Sequence, residues 1–168
     1  MAESAKKISL GGYFGDAHVG NDSGTVTRRA RANDNAAKAQ AAPEIGDEMA
    51  DGTIYAGISP DTKQPMYVTP KDASRTYTFN EAAQYAKTLD ANGHHDFRVP
   101  SKNELNVLWE NRNKGKLAGT FNETGSLPAG WYWSSSPVGS TYAWTQHFSD
   151  GNQHYTGRDV FSSMRCVR

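Results

Sequence analysis

FRVPSKNEL, residues 97–105, is the stretch of this sequence that decides the fold, because it joins a predicted strand to a predicted helix. Phe97–Val99 is predicted to be extended. Ser101 is predicted to be the N-cap of the helix, and Glu104, three positions later, is predicted to reach back to it in a capping box. The apolar stripe of this helix is predicted to consist of Leu105, Leu108 and Trp109.

A second predicted helix lies upstream and begins in the same way. Thr78 is predicted to cap its N-terminus, and Glu81 supplies the carboxylate of the capping box. Asn92 and Gly93 are predicted to end the helix. Its apolar face is predicted to consist of Phe79, Ala82, Ala83, Ala86 and Leu89.

Strands are predicted on both sides of the two helices. Upstream, Thr53–Ile58 and Pro65–Thr69 are predicted to pair as a hairpin across the turn at residues 59–61. Downstream, three short strands are predicted, with residues 149–152 as the turn after the middle one: Trp131–Ser136, Tyr142–Phe148 and Ser162–Arg168. An early hairpin, two helices and a late antiparallel sheet predict an α+β fold.

The first fifty residues differ in composition from the rest of the chain. They contain eleven alanines and no tryptophan. We therefore divide the chain into an extended N-terminal arm, residues 1–50, and a folded domain, residues 51–168. The arm is predicted either to be a disordered tail or to anchor the protein to a larger assembly, a virion or a homo-oligomer. Its candidate assembly residues are Ile8, Leu10, Tyr13 and Phe14.

Composition excludes several classes of partner. Eighteen basic and eighteen acidic residues give a net charge of zero, which offers no electrostatic attraction to nucleic acid. No run approaches the roughly 18 apolar residues that a membrane span requires. The N-terminus has no apolar region typical of a secretory signal. The single cysteine, Cys166, rules out an internal disulfide.

Four blocks of sequence occur in an order that is specific to one family. FRVPSKNEL, WYWSSS, AWTQHFSDG and SSMRCVR resemble the Lcl C-terminal domain family of bacterial and phage proteins, from about Gly52 to Arg168. That family is similar in fold to the C-type lectin domains of formylglycine-generating enzymes and of phage receptor-binding proteins. The resemblance implies a C-type-lectin-like domain with a loop-rich face, used for adhesion or ligand display.

No residue is predicted to be catalytic or to hold a metal or cofactor. The formylglycine-generating enzymes depend on reactive cysteines, whereas Cys166 is predicted to be a buried, inert thiol in the last strand. The adjacent His94 and His95 are predicted to point apart in a solvated turn, and zinc sites need three or four converging ligands. Oxygens of residues 150–152 and 122–123 are candidate calcium ligands, but a plain β-turn is the favoured interpretation.

The segment from Gly139 to Asp159 is rich in tyrosine, amide and hydroxyl side chains, which is typical of a binding loop. Trp131, Trp133, Trp144 and Phe148 match core positions of the family and are predicted to be buried packing residues. The ligand is therefore predicted to contact a late loop at Gln153, His154, Tyr155, Thr156 and Arg158.

These observations predict a non-catalytic receptor-binding or adhesion module. We expect it on a virion or extracellular particle, made in the cytoplasm without a signal peptide. A cell-surface glycan is the first expected ligand, and a surface protein is the second. One alternative is a structural decoration or fibre-attachment protein that binds only its own particle. A second alternative is an enzyme of the formylglycine-generating type, which would lack its central residue.

Overall fold

The computed structural model describes residues 42–124 and 127–168. Over these residues the chain forms two α-helices, a short 3-10 helix and two small antiparallel sheets. The elements are β1 Ile54–Ile58, β2 Pro65–Val68, α1 Phe79–Thr88, α2 Lys102–Asn111, the 3-10 helix Gly115–Leu117, β3 Trp131–Val138, β4 Tyr142–His147 and β5 Gln153–Gly157. The predicted α+β class is confirmed. The assembly residues predicted between Ile8 and Phe14 lie outside the described residues.

Residues 43–168 form one compact unit, which begins before the first strand. The N–H of Gly46 donates to the carbonyl of Tyr55 at 2.8 Å, and Glu48 makes a β-bridge with Ile54. The hairpin of β1 and β2 follows as predicted, with Ile54 opposite Val68 and a bulge between Tyr55 and Gly57. Segment 43–50 is thus bonded to the first hairpin.

Both capping boxes are present, and they fix the two helix starts. The carboxylate of Glu81 accepts the N–H of Thr78 at 2.9 Å, and the carboxylate of Glu104 accepts the N–H of Ser101 at 2.9 Å. The prediction for the end of α1 was wrong, because the helix stops at Thr88 and Asn92 lies in a separate turn at positive φ.

The predicted apolar face of α1 needs one correction. Ala82 and Ala86 are buried, whereas Ala83 is exposed. Tyr85 is half-buried and packs against the core with Phe79 and Leu89. Residues 82, 85, 86 and 89 follow the helical repeat more closely than residue 83 does, so the face turns away from Ala83.

The late sheet is formed by β3, β4 and β5 in that order, with antiparallel pairing throughout. The prediction that Ser162–Arg168 forms its third strand was wrong. The third strand is β5, which had been predicted to be a loop. The turn at residues 148–152 brings β5 back along β4 immediately, so the local hairpin fills the place next to β4.

The C-terminal segment 162–168 crosses the domain instead and ties its parts together. It makes isolated β-bridges to four separate places, Tyr77, Tyr132, Arg98 and Val68. Backbone hydrogen bonds accompany these bridges, including Trp133 N–H to Ser163 at 3.0 Å and Arg98 N–H to Val167 at 2.8 Å.

The part of the late sheet around Tyr132 and Trp133 is packed on both faces, because successive residues of a strand point in opposite directions. Tyr132 packs with Phe148 and the helix α2 in one cluster. Trp133 packs with Ala143 and the helix α1 in the other. The predictions of buried Trp133 and Phe148 are confirmed, since both are fully buried. Those for Trp131 and Trp144 were wrong, because both remain partly exposed.

The stretch FRVPSKNEL, residues 97–105, contains an ion pair between Arg98 and the buried Glu104. Glu104 is 1% exposed and accepts hydrogen bonds from both terminal nitrogens of Arg98 and from the hydroxyl of Ser59 at 2.6 Å. Burial by itself would raise the pKa of Glu104, but the hydrogen bonds from Arg98 and Ser59 outweigh it and hold the pKa below its usual value. The motif therefore joins α2 to the end of β1.

A second buried network centres on Arg165 of the crossing segment. Its guanidinium, with no exposed surface, donates to Asp72 at 2.9 Å and to the carbonyls of Thr69 and Thr120. The other carboxylate oxygen of Asp72 accepts from the hydroxyl of Tyr132. Burial and the neighbouring carboxylate raise the pKa of Tyr132. The network fixes the 69–73 loop against β3.

Candidate ligand-binding surface

Three aromatic rings lie together on one face of the late sheet and remain accessible. Tyr142 and Trp144 are two residues apart on β4, and Tyr155 is the cross-strand partner of Trp144 on β5. Tyr142 is 46% exposed and Tyr155 is 47% exposed. The ring centroids of Tyr142 and Tyr155 are 5.5 Å apart, and those of Trp144 and Tyr155 are 6.1 Å apart, both edge-to-face. We call these three rings the aromatic surface.

The first residue of α2 borders the aromatic surface. The ammonium of Lys102 lies 3.4 Å from the centroid of the Trp144 ring, which is a close cation–π contact. Its backbone is held on two sides, because its N–H donates to Ser136 at 2.9 Å and its carbonyl accepts from Gln153 at 3.1 Å. The start of α2 therefore fixes a positive charge beside the rings.

The predicted ligand-binding residues lie on and beside β5, but several of them have internal roles. Gln153 is partly buried and donates to the side chain of Gln146 at 3.2 Å as well as to Lys102. Arg158 donates to the carbonyls of Tyr142 at 3.1 Å and Gly139 at 2.9 Å. Both side chains hold neighbouring backbone in place.

His154, Tyr155 and Thr156 differ in exposure. His154 is exposed, and its ring stacks on Tyr155 with centroids 4.9 Å apart. Thr156 is partly buried, with its hydroxyl 3.5 Å from that of Thr145. The structure thus groups Tyr155 and His154 at the surface and places Thr156 against the underlying strand.

Sequence reasoning left Tyr142, Trp144 and Lys102 out of the predicted ligand-binding residues. Trp144 had been assigned to the core with the other large aromatic residues. A signal was present in the strand itself, because Tyr142 and Trp144 alternate with the buried Ala143 and Thr145. No local signal placed Lys102 there, since its contact with Trp144 spans two elements that are distant in sequence.

A serine, a histidine and an aspartate meet at the end of β4, but their geometry does not suit nucleophilic catalysis. The hydroxyl of Ser149 lies 2.9 Å from Nδ1 of His147, and the carboxylate of Asp150 lies 3.2 Å from the same nitrogen. A catalytic triad needs the serine and the aspartate on opposite ring nitrogens. The hydrogen bond from the backbone N–H of Asn152 is the largest cause that lowers the pKa of Asp150. The charge and hydrogen bond of His147 lower it further.

Cys166 is poorly suited to act as a nucleophile. It is 2% exposed, and burial raises the pKa of its thiol to about 12. A thiolate is the reactive form of cysteine, so a thiol with this pKa stays protonated near neutral pH.

The candidate metal ligands engage other partners. Nε2 of His94 lies 2.7 Å from the carboxylate of Asp51, whereas Nδ1 of His95 lies 3.5 Å from that of Asp90. The carboxylate of Asp150 accepts from the side-chain amide of Asn152 at 2.8 Å, within its own turn. Within residues 42–124 and 127–168, no three histidine, cysteine or acidic side chains are grouped as metal ligands.

The fold and this surface define a small α+β domain that presents a fixed group of aromatic rings to solvent. Residues 58–168 match the Lcl C-terminal domain family, and the chain therefore belongs to that family. A comparison with curated proteins found no match. In the part of the chain that the structure describes, neither helix is long and apolar enough to cross a membrane.

Proposed function

We propose that this chain is a non-catalytic binding module that recognises a cell-surface glycan through its aromatic surface. The observation that carries the proposal is the exposure of Tyr142 and Tyr155, nearly half of each side chain, on a sheet whose opposite face is packed. Exposed aromatic rings that are grouped on one surface are typical of an interaction site, whereas single exposed rings are common on any protein.

The chemistry of the surface suits a sugar. Aromatic rings contact the C–H face of a pyranose, and nearby donors bind its hydroxyl groups. Here the imidazole of His154 and the ammonium of Lys102 lie beside the rings. Because the three rings already pack edge-to-face on one another, they lose less side-chain entropy on binding.

The wider setting of the domain is part of the same proposal. We place the module in the C-type-lectin-like class, on the family resemblance, and on a virion or extracellular particle. The N-terminal arm, residues 1–50, has few large apolar side chains and is proposed to attach the domain to that particle, with its last residues 43–50 bonded to the first hairpin. The family assignment and the two helices with small antiparallel sheets support this proposal.

A glycan array with the full chain tests the proposal. Wild type is expected to bind a defined set of glycans, and Tyr155→Ala and Tyr142→Ala are each expected to weaken binding about tenfold or more. An aromatic contact contributes about 0.5–1.5 kcal/mol beyond the area that it buries, and 1.4 kcal/mol corresponds to a factor of ten.

Phe161→Ala is the matched control. Phe161 is 49% exposed, so the change removes a ring of similar accessibility that is not paired with the rings of the aromatic surface. The control is expected to bind as wild type does. Equal losses in all three variants, or no binding to any glycan, would contradict the proposal.

A further inference from the structure

A pocket of about 220 Å³ lies between the second half of α1 and the loop at residues 69–73. Its walls include the apolar side chains of Pro70, Ala73, Tyr85 and Leu89, and the buried Cys166 also lines it. None of these residues belongs to the aromatic surface. The pocket is therefore separate from the aromatic surface.

The loop that forms one wall is held by backbone hydrogen bonds to the crossing C-terminal segment. The N–H of Thr69 donates to the carbonyl of Cys166 at 3.1 Å, and the N–H of Ala73 donates to that of Met164 at 3.0 Å. Arg165 bonds to Thr69 and Asp72 between these points. The pocket wall is thus preformed, which lowers the entropy cost of binding a ligand.

Two charged side chains line the pocket, Asp72 and Lys71, and they differ in whether they already have a partner. The carboxylate of Asp72 is engaged by Arg165 and Tyr132. The exposed Lys71 also lines the pocket, and among residues 42–124 and 127–168 no carboxylate lies within salt-bridge distance of its ammonium. An apolar pocket lined by a lysine that pairs with no carboxylate of the described residues complements a molecule that carries both an apolar group and a negative charge.

We propose that this pocket binds a small carboxylate with a compact apolar group, oriented by an ion pair with Lys71. Volume sets the size of the apolar group. An apolar protein cavity of about 150 Å³ holds one benzene molecule. The 220 Å³ here therefore accommodates one ring with a short substituent.

The test uses 3-phenylpropionate as the probe and 3-phenylpropan-1-ol as its neutral counterpart. Each is titrated into the isotopically labelled full chain at pH 7, and amide and methyl chemical shifts are followed. The carboxylate is expected to cause saturable shifts at Ala73, Tyr85 and Leu89. The alcohol is expected to bind at the same place about three- to fivefold more weakly, because it lacks the ion pair with the exposed Lys71, which contributes up to about 1 kcal/mol.

Two substitutions separate charge recognition from a merely apolar cavity. Lys71→Gln is expected to weaken binding of the carboxylate about three- to fivefold and to leave the affinity for the alcohol unchanged. Lys87→Gln removes an equal charge from the last turn of α1 and does not line the pocket, so it is expected to change neither affinity. Neither residue contributes to the buried clusters, and both variants are expected to fold.

Three results would overturn the proposal. These are the absence of saturable shifts at the pocket residues, equal affinities for the two probes, and unchanged carboxylate binding in Lys71→Gln. The proposal does not rest on glycan recognition, because the two sites share no residue. Loss of glycan binding in Tyr155→Ala with pocket binding retained would support that independence.

Discussion

Replacing Glu104 by glutamine tests the ion pair between Glu104 and Arg98. The carboxylate receives four donors, two from Arg98, one from the Ser59 hydroxyl and one from the Ser101 N–H. Glutamine keeps the size of the side chain but removes its charge. Its NH₂ group must also face donors that previously met an oxygen, so at least one buried hydrogen bond becomes donor against donor.

The expected loss of stability depends on how far the side chains of Glu104 and Arg98 are each buried. Breaking a buried ion pair costs about 3–5 kcal/mol, because the remaining charge is left uncompensated. Here Glu104 has 1% of its side chain exposed but Arg98 has 42%, so water can solvate the guanidinium once its partner is gone. We therefore expect a loss at or below the lower end of that range, about 2–3 kcal/mol.

Urea unfolding of the full chain at pH 7 measures this loss. Glu110→Gln is the matched control, because the same substitution on the same helix affects an exposed side chain whose hydrogen bond is to Asn106. The control is expected to change the free energy of unfolding by less than about 0.5 kcal/mol. A loss below about 1 kcal/mol in Glu104→Gln would refute the reasoning.

The same variant predicts a dependence on pH. The pKa of Glu104 is lower in the folded state than in the unfolded state. Its stabilising contribution is therefore fully present above the unfolded value, about 4.3, and is lost as pH falls through the lower folded value. The difference in stability between wild type and Glu104→Gln is expected to shrink below about pH 4. A difference that stays constant down to pH 2.5 would mean that the charge does not stabilise the fold.

Two further predictions concern the core and the start of the domain. Trp133 is fully buried, and its indole N–H donates to the Tyr77 carbonyl at 2.7 Å. Trp133→Ala is therefore expected to lower the free energy of unfolding in urea by about 3–5 kcal/mol. A thermal melting temperature within a degree or two of wild type would contradict this. Burial opposes ionisation of Asp51, but hydrogen bonds from Thr53 and the pairing with His94 hold its pKa at about 2. The stability difference between wild type and Asp51→Asn is about 1–2 kcal/mol after allowing for solvent screening. It is therefore expected to hold between about pH 4 and 6 and to vanish towards pH 2 in acid titrations. A difference that grows in acid would contradict this.

The local elements could be predicted well because their signals are local. Each capping box spans four residues, and the hydrogen bonds that it makes lie within that span. The hairpin of β1 and β2 is set by a short turn between two apolar runs. The stripe Leu105, Leu108 and Trp109 follows from helical geometry alone, and all three residues pack on the first core cluster.

The sheet partners could not be predicted in the same way. Residues 162–168 have the composition of a strand, but their backbone pairs with four different parts of the chain. Residues 153–157 have the composition of a binding loop, yet they form the strand β5. Hydrogen-bond partners in a sheet are chosen by how distant segments meet, and composition records only the preference for an extended backbone.

The sequence by itself determined the α+β class, the two helix starts, the first hairpin and membership of the Lcl C-terminal domain family. Only the tertiary structure decided which tryptophans are buried, where Lys102 lies relative to Trp144, and that the 69–73 loop and α1 enclose a pocket. The physical reason is the range of the interactions. Caps and helical periodicity act over a few residues, whereas burial and pocket shape depend on segments that meet only when the whole chain has folded.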